Sequence, residues 1–153
     1  MTTNEMMHTG IKLLESGQLE NGLKLITQAI NLEPSDPEKR QVRAIFYTNI
    51  GNYEEAISDF KHCISLKNDQ YEYHYNLANV YFDMKMYGIA LVYYTSALKL
   101  NQNDSDIFTN RGMCYISNSQ PEMAVEDFQT ALSINPNDHI ARQYLDHLLS
   151  FNK

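Results

Sequence analysis

This chain of 153 residues contains no tryptophan, two cysteines, four prolines and no long apolar run. Cys63 and Cys114 are too few and too far apart for a disulfide framework, so we read them as small buried apolar residues. No stretch approaches the length that crosses a bilayer. Residues 1–10 are polar and lack the basic and apolar segments of a signal peptide. These absences predict a cytoplasmic protein that is not embedded in a membrane.

Positive charge is also scarce. Twelve Lys and Arg residues stand against nineteen Asp and Glu residues, which gives a formal net charge of −7. Nucleic-acid-binding domains normally present a basic face, so this balance argues against a nucleic-acid partner. The length suits one domain, and we predict that residues 1–153 form it.

Patterns that carry chemistry are missing as well. The five histidines do not stand at metal-ligand spacing with one another or with a cysteine. The chain has no glycine-rich phosphate loop and no nucleophile motif. We therefore predict no enzyme, no metal and no cofactor; the contrary hypothesis, an enzyme, would require an unexpected bound metal or cofactor.

What the sequence does contain is one pattern written four times at a spacing of 34 residues. The four columns of this pattern are Gly10, Ala44, Ala78 and Gly112; Gly22, Ala56, Ala90 and Ala124; Ile26, Phe60, Tyr94 and Phe128; and Ala29, Cys63, Ala97 and Ala131. The blocks are 3–36, 37–70, 71–104 and 105–138, and a tail, 139–153, follows. A fixed period of this length is typical of repeat architectures, in which each unit buries its apolar face against its neighbours.

Each block is predicted to fold as two helices joined by a short turn, because its apolar residues recur at three- and four-residue steps. Several residues mark helix ends. Asp36 before Pro37 is a cap followed by a first-turn proline, and Pro121 opens a second helix in the same way. We also predict a capping box at Asn52 and a cap at Ser105.

The two small columns lie on the first and second helix of each block, so we expect the two backbones to approach closely there. The tail is predicted to be a capping helix that closes the stack with one apolar face. That face would comprise Ile140, Tyr144, Leu148 and Leu149.

With these residues in place, the chain resembles the tetratricopeptide repeat (TPR) family, whose 34-residue unit carries small and aromatic residues in a fixed order. The fourth block matches it with Gly112, Tyr115, Ala124, Phe128, Ala131 and Pro136. The position of the family's early tryptophan holds Met6, Arg40, His74 and Phe108, and the first block diverges most. The resemblance implies an all-α fold, an α-solenoid (right-handed superhelix) of four helix-turn-helix units plus the C-terminal capping helix.

The resemblance further implies a protein-interaction module that binds a peptide in a concave groove lined by the first helices. The corresponding residues of this chain are Ile11, Leu14, Val42, Ile45, Tyr75, Asn76, Asn79, Phe82, Asn110, Met113 and Ile116. Most of these residues are apolar, and an exposed strip with so much apolar surface predicts an interaction site for an apolar or amphipathic segment. The alternative is that the strip packs within the superhelix or against a second copy, which would make the chain a self-associating structural subunit.

Two details bear on the ligand. Asn76 and Asn110 occupy equivalent positions, so their amides could hold the backbone of an extended peptide. TPR co-chaperones clamp the C-terminal carboxylate of heat-shock proteins with lysine and arginine side chains, and these cations are missing here. If the clamp is aligned with the last three blocks, its positions hold Gln41, Ile45, Asn76, Asp106 and Asn110. If it is aligned with the first three blocks, they hold Met7, Ile11, Val42, Glu72 and Asn76. The predicted rim is acidic, with Glu15, Glu38, Glu72, Asp83 and Asp106. We therefore expect a peptide with basic flanks and no heat-shock-protein tail.

Overall fold

A computed structural model describes residues 1–150 of the chain. Within that range the polypeptide forms nine α-helices and no strand, which confirms the predicted all-α class. The helices are α1 (Thr3–Glu15), α2 (Leu19–Leu32), α3 (Pro37–Asn49), α4 (Tyr53–Leu66), α5 (Tyr71–Asp83), α6 (Tyr87–Leu100), α7 (Ser105–Ser117), α8 (Pro121–Ile134) and α9 (His139–Ser150). Each block therefore contains one helix pair, as the periodicity predicts.

The helices fall into two compact units. The first runs from Met1 to Asn68 and contains α1 to α4; the second begins at Asp69 and contains α5 to α9. The core of the first unit includes Met7, Leu14, Ile26, Ala29 and Ile30, and that of the second includes Ala124, Phe128, Ala131, Ala141 and Leu145. The single domain over residues 1–153 stays a prediction.

The small columns are where the paired helices come closest. A methyl group built on Gly112 would lie 2.7 Å from Cε1 of Phe128, and one built on Gly10 would lie 2.7 Å from Cγ1 of Ile26. Both distances are far below van der Waals contact. The close approach that the small residues predict is thus present in both units.

Helix ends agree with the sequence at some positions and differ at others. The Asp36 side chain accepts a hydrogen bond from the backbone N–H of Glu38 at 2.9 Å, with Pro37 as the first helical residue. The capping box at Asn52 is wrong, because its side chain makes no capping hydrogen bond. The cap at Ser105 is also wrong, since Asp104 accepts the hydrogen bond and Ser105 is already helical.

The turn inside each block requires a left-handed backbone. The residues with positive φ are Gly17 (82°), Gly51 (78°), Lys85 (60°) and Ser119 (61°), and they occupy equivalent positions. Glycine adopts this conformation without steric cost, whereas a lysine or serine is strained there. The two blocks of the first unit therefore use glycine, and those of the second do not.

Two of the four residues predicted for the apolar face of the C-terminal helix α9 contact the core, and two do not. The Tyr144 ring stacks on Phe128 with ring centres 5.5 Å apart, and Leu148 packs against the same cluster as the buried Ala141 and Leu145. Ile140 and Leu149 are exposed. Asp138 fixes the start of α9 by accepting hydrogen bonds from the backbone N–H of Ala141 and from the hydroxyl of Thr109 on α7. Residues 151–153 of the predicted helix lie outside the described residues.

Candidate protein-interaction site

The first unit contains a hollow of 370 Å³ between α1 and α3. Its walls are mostly apolar and consist of Ile11, Leu14, Glu15, Val42, Ile45, Phe46 and Asn49. Four of the predicted groove residues, Ile11, Leu14, Val42 and Ile45, are therefore brought together around one space. Ile11 and Leu14 are one turn apart on α1, and Val42 and Ile45 are one turn apart on α3, so each helix contributes two neighbouring side chains.

A second hollow of 220 Å³ adjoins the first, since Ile11 and Val42 contribute to the walls of both. Its other lining residues are Asn4, Met7, Asp36, Glu38 and Lys39. We call the two hollows together the α1/α3 groove. The groove has an apolar middle with carboxylates towards its ends, Glu15 in one hollow and Asp36 and Glu38 in the other.

The one cation in the wall of the α1/α3 groove is already paired. The Lys39 ammonium lies 2.8 Å from a carboxylate oxygen of Glu33 and also bonds Asp36. These hydrogen bonds lower the pKa of both carboxyl groups below their usual values. At neutral pH Asp36 is therefore ionised, and the Lys39 end of the groove carries net negative charge.

The walls of the groove differ in their exposure. Leu14 is only 9% exposed and fills the space opposite Gly22, so it belongs to the core more than to an open surface. Ile45 is 41% exposed, and Ile11 and Val42 are half-buried. The exposure predicted for the whole strip is thus found at Ile45 and is absent at Leu14.

In the second unit, the predicted polar residues form a hydrogen-bonded network. The hydroxyl of buried Tyr94 donates to Oδ1 of Asn79 at 2.6 Å. Nδ2 of Asn110 donates to the Tyr75 hydroxyl at 2.7 Å and lies 3.4 Å from the same Asn79 oxygen. Burial raises the pKa of both tyrosines, so their hydroxyls stay protonated.

This network makes the predicted asparagine pair unequal. Both N–H bonds of the Asn110 amide point to partners within the protein, which leaves its carbonyl oxygen for a ligand. Asn76 occupies the equivalent position on α5 and has no hydrogen-bond partner within residues 1–150, so its whole amide is free to bind. Asn79 is held internally by Tyr94 and Asn110.

The apolar members of the strip in the second unit also take part in packing. Phe82 meets Tyr87 edge to face, with ring centres 5.5 Å apart. Met113 and Ile116 are half-buried against the cluster around Phe128. Of the predicted site, the α1/α3 groove therefore offers the more open apolar surface.

Two wall residues of the α1/α3 groove, Phe46 and Asn49, are absent from the predicted set. They follow Val42 at four and seven residues, which places them on the same helical face. Extending the stripe along α3 by this spacing would have found them. These two residues are missed because the prediction relies on positions that are equivalent in all blocks, and neither residue belongs to one of those columns.

Other kinds of site find no support in the part of the chain that the structure describes. No group of three or more metal-ligating side chains occurs within residues 1–150. Burial raises the pKa of Cys63 to about 12 and that of Cys114 to about 11, so neither thiol is a nucleophile at neutral pH. None of the helices described is both long and apolar enough to traverse a membrane.

Comparison with known proteins identifies the family. The family model described as "Tetratricopeptide repeat" matches residues 71–104 and 105–138, and one described as "TPR repeat" matches residues 47–85. Together they cover more than half of the chain. The protein belongs to the tetratricopeptide repeat family, whose members broadly act as scaffolds for protein–protein interaction and are typically not enzymes.

Individual relatives are more distant. U-box domain-containing protein 70 of Oryza sativa subsp. japonica is 28% identical over 119 residues, 74% of this chain and 15% of that protein. The structure of MamA 41-end from Desulfovibrio magneticus RS-1 has a TM-score of 0.87 at 21% identity, covering 98% of this chain and 85% of that one. The first TPR of Spaghetti (RPAP3), bound to an HSP90 peptide, has a TM-score of 0.72 at 22% identity, covering 76% and 94%.

The similarities cover only part of the curated relatives and, for the solved structures, concern only the fold. The chain spans between 12% and 21% of the lengths of curated relatives it matches. At the identities of the two solved structures, the likeness concerns the fold alone.

Proposed function

We propose that this protein binds an apolar or amphipathic segment of a partner protein on the faces of its first helices, with the α1/α3 groove as the main contact. The observation that carries the proposal is the 370 Å³ hollow, in which apolar walls surround an open space and Ile45 stays 41% exposed. Covering apolar surface of this kind is favourable by about 25 cal/mol per Å².

The groove needs little rearrangement to accept a ligand. Leu14 is buried against Gly22, and Ile11 and Val42 pack against the core of the first unit. Because these walls are held by the packing of α1 to α3, few side chains have to be ordered on binding. A bound segment would place one apolar side chain between Val42 and Ile45.

Charge decides which flanks the segment carries. Glu15, Asp36 and Glu38 line the groove, and the single cation, Lys39, is paired with Glu33 and Asp36. A segment with basic residues on both sides of its apolar centre is therefore favoured. The tail of a heat-shock protein is disfavoured, because its terminal carboxylate would meet acidic residues and no clamp of lysine and arginine.

In the second unit, the amide of Asn76 and the carbonyl oxygen of Asn110 would hydrogen-bond the backbone of the same kind of segment. Both residues are half-buried. Their contribution would not depend on the side chains of the ligand. Asn79 would support them from inside the network with Tyr94.

The proposal is tested by affinity capture from the native lysate with three proteins: the wild type, Ile45→Glu and Met123→Glu. Met123 lies on α8 and is 40% exposed, so its variant is a control matched in chemistry and exposure. We expect a partner that the wild type and Met123→Glu retain and Ile45→Glu loses. Its segment, made as a synthetic peptide, should bind more weakly when its basic flanks are replaced by glutamate.

Capture of the same partners by all three proteins would place recognition outside the α1/α3 groove. The second candidate function, self-association through the same strip, has the exposed Ile45 in its favour. Against self-association stands charge repulsion, because pairing two copies through this strip would bring the carboxylates of one copy near those of the other. Light scattering over a range of concentrations distinguishes the two: a mass that rises in the wild type and stays constant in Ile45→Glu would favour self-association.

A further inference from the structure

The second helix of the third block, α6, differs from the other second helices in its charge. The stretch from Tyr87 to Leu98 contains no charged residue, so Lys99 in the last turn is the only charged residue of the whole helix. By contrast, α4 carries Glu54, Glu55, Asp59 and Lys61. The solvent-facing side of a surface helix normally carries charged and polar residues.

The outer face of α6 is uncovered. Its central residue, Val92, is 62% exposed, and Met86 and Ile89 are 41% and 39% exposed. In the other blocks the place of Val92 is taken by polar or charged residues, namely Lys24, Ser58 and Glu126. The repeat therefore does not require an apolar residue here.

A glycine lies on the same face. Gly88 is one turn from Val92, and a methyl group built on it would meet nothing within 4 Å. Glycine destabilises a helix by roughly 0.5–1 kcal/mol relative to alanine, and no neighbour within the described chain demands one at this place. A helix lying across α6 could approach closely at that position.

Lysines border this face at both ends. Lys85 precedes the first turn of α6 and Lys99 lies in its last turn, about four helical turns apart. Both are exposed, and neither is among the cations that form ion pairs within residues 1–150. The positive end of the α6 dipole adds to the field at Lys85. An apolar strip with a cation at each end is unusual on a chain of net charge −7.

We propose that the outer face of α6, comprising Gly88, Ile89, Val92 and Ser96 between Lys85 and Lys99, docks an amphipathic helix of a partner protein whose apolar stripe ends in acidic residues. The apolar stripe would cover Ile89 and Val92, and the acidic ends would pair with the two lysines. A second copy of this chain fits less well, because antiparallel pairing of two α6 helices sets Lys85 against Lys99 of the other copy. This surface shares no residue with the α1/α3 groove, and the proposal does not depend on that groove.

The test uses two synthetic helical peptides with the same leucine stripe over four turns, one with glutamate at both ends and the other with lysine. Binding to the full chain is followed by fluorescence anisotropy. The decisive variant is Val92→Glu, which the fold should tolerate because the same column holds Glu126 in the fourth block. Ser58→Glu, in that column on α4, is the matched control, and Ile45→Glu reports on the α1/α3 groove.

We expect the glutamate-ended peptide to bind saturably to the wild type and at least tenfold more weakly to Val92→Glu. The Ser58→Glu and Ile45→Glu variants should bind it as the wild type does, and Lys99→Glu should reduce the preference for acidic ends. Equal binding of both peptides, no saturable binding, or loss of binding in Ile45→Glu would overturn the proposal. So would a mass that doubles with concentration in the wild type and not in Val92→Glu, which would make the occupant a second copy.

Discussion

Arg111 donates two hydrogen bonds to the carboxylate of Asp127, from Nε and Nη2, each 2.7 Å long. Arg43 and Asp59 form the same two-pronged pair two blocks earlier, at 2.7 and 2.8 Å. Each arginine also donates to a threonine of the preceding block, Thr27 in one case and Thr95 in the other. Through its aspartate and its threonine, each arginine joins three consecutive helices, α2 to α4 in the first unit and α6 to α8 in the second.

The third block makes the equivalent helix contact without charge. Leu77 stands in place of the arginine and is fully buried, and Tyr93 stands in place of the aspartate. The Tyr93 ring stacks on Tyr81 with centres 5.6 Å apart. The contact between the first and second helix of a block is thus an ion pair in the second and fourth blocks and an apolar contact in the third.

The first prediction concerns replacing the ion pair of the fourth block with the apolar residues of the third. Arg111→Leu should lower the free energy of unfolding by about 3–5 kcal/mol, because it strands the buried Asp127 carboxylate. The double variant Arg111→Leu/Asp127→Tyr copies the third block and should recover most of that loss. Urea unfolding measures both, and a double variant no more stable than the single one would show that the apolar contact cannot be transplanted.

The second prediction concerns two glycines in helices. Gly112→Ala should lower the free energy of unfolding by about 1–3 kcal/mol, since its methyl group would overlap the Phe128 ring. Gly88→Ala should instead leave the stability unchanged or raise it by up to about 1 kcal/mol, because its surroundings are open. Thermal unfolding of the two alanine variants side by side gives the comparison, and equal shifts would contradict the packing argument.

The third prediction separates two asparagines on α5. Asn79→Ala should cost about 1–3 kcal/mol of unfolding free energy, because the buried Tyr94 hydroxyl loses its acceptor. Asn76→Ala should cost almost nothing, since that amide has no hydrogen-bond partner within the described residues. Chemical denaturation distinguishes them. A large loss for Asn76→Ala would mean that its amide supports the fold and is not held ready for a ligand.

The fourth prediction concerns acid. Lys39 bonds Glu33 and Asp36 and lowers the pKa of both carboxyl groups below their ordinary values of 4.5 and 3.8. Since the folded protein then binds fewer protons than the unfolded chain, this stabilisation is present above those values and is lost as the pH falls below them. The melting temperature of the wild type should therefore fall more steeply below pH 4.5 than that of Lys39→Met. Parallel curves would show that the triad adds nothing to acid stability.

Much of the fold follows from the repeat. The small columns predict the close approach of Gly112 to Phe128, and the prolines predict where α3 and α8 begin. The site follows less directly. The groove residues come from the family resemblance, and the sequence places Leu14 beside Ile45 in that strip without indicating that Leu14 fills the gap left by Gly22 and is buried. The two capping predictions fail for different reasons: Asn52 stands at the N-cap of α4 but its side chain makes no capping hydrogen bond, whereas α7 is capped by Asp104, one residue before Ser105.

The sequence by itself determined the division of residues 3–138 into four helix pairs and the small and aromatic columns through which each pair packs, because a 34-residue period imposes the same packing columns on every block. Only the tertiary structure decided which polar groups are used internally. Asn79 accepts a hydrogen bond from Tyr94, whereas Asn76 has no hydrogen-bond partner within residues 1–150, and Lys39 is neutralised by Glu33 and Asp36. Such differences depend on distances between side chains of different helices, which a one-dimensional pattern does not contain.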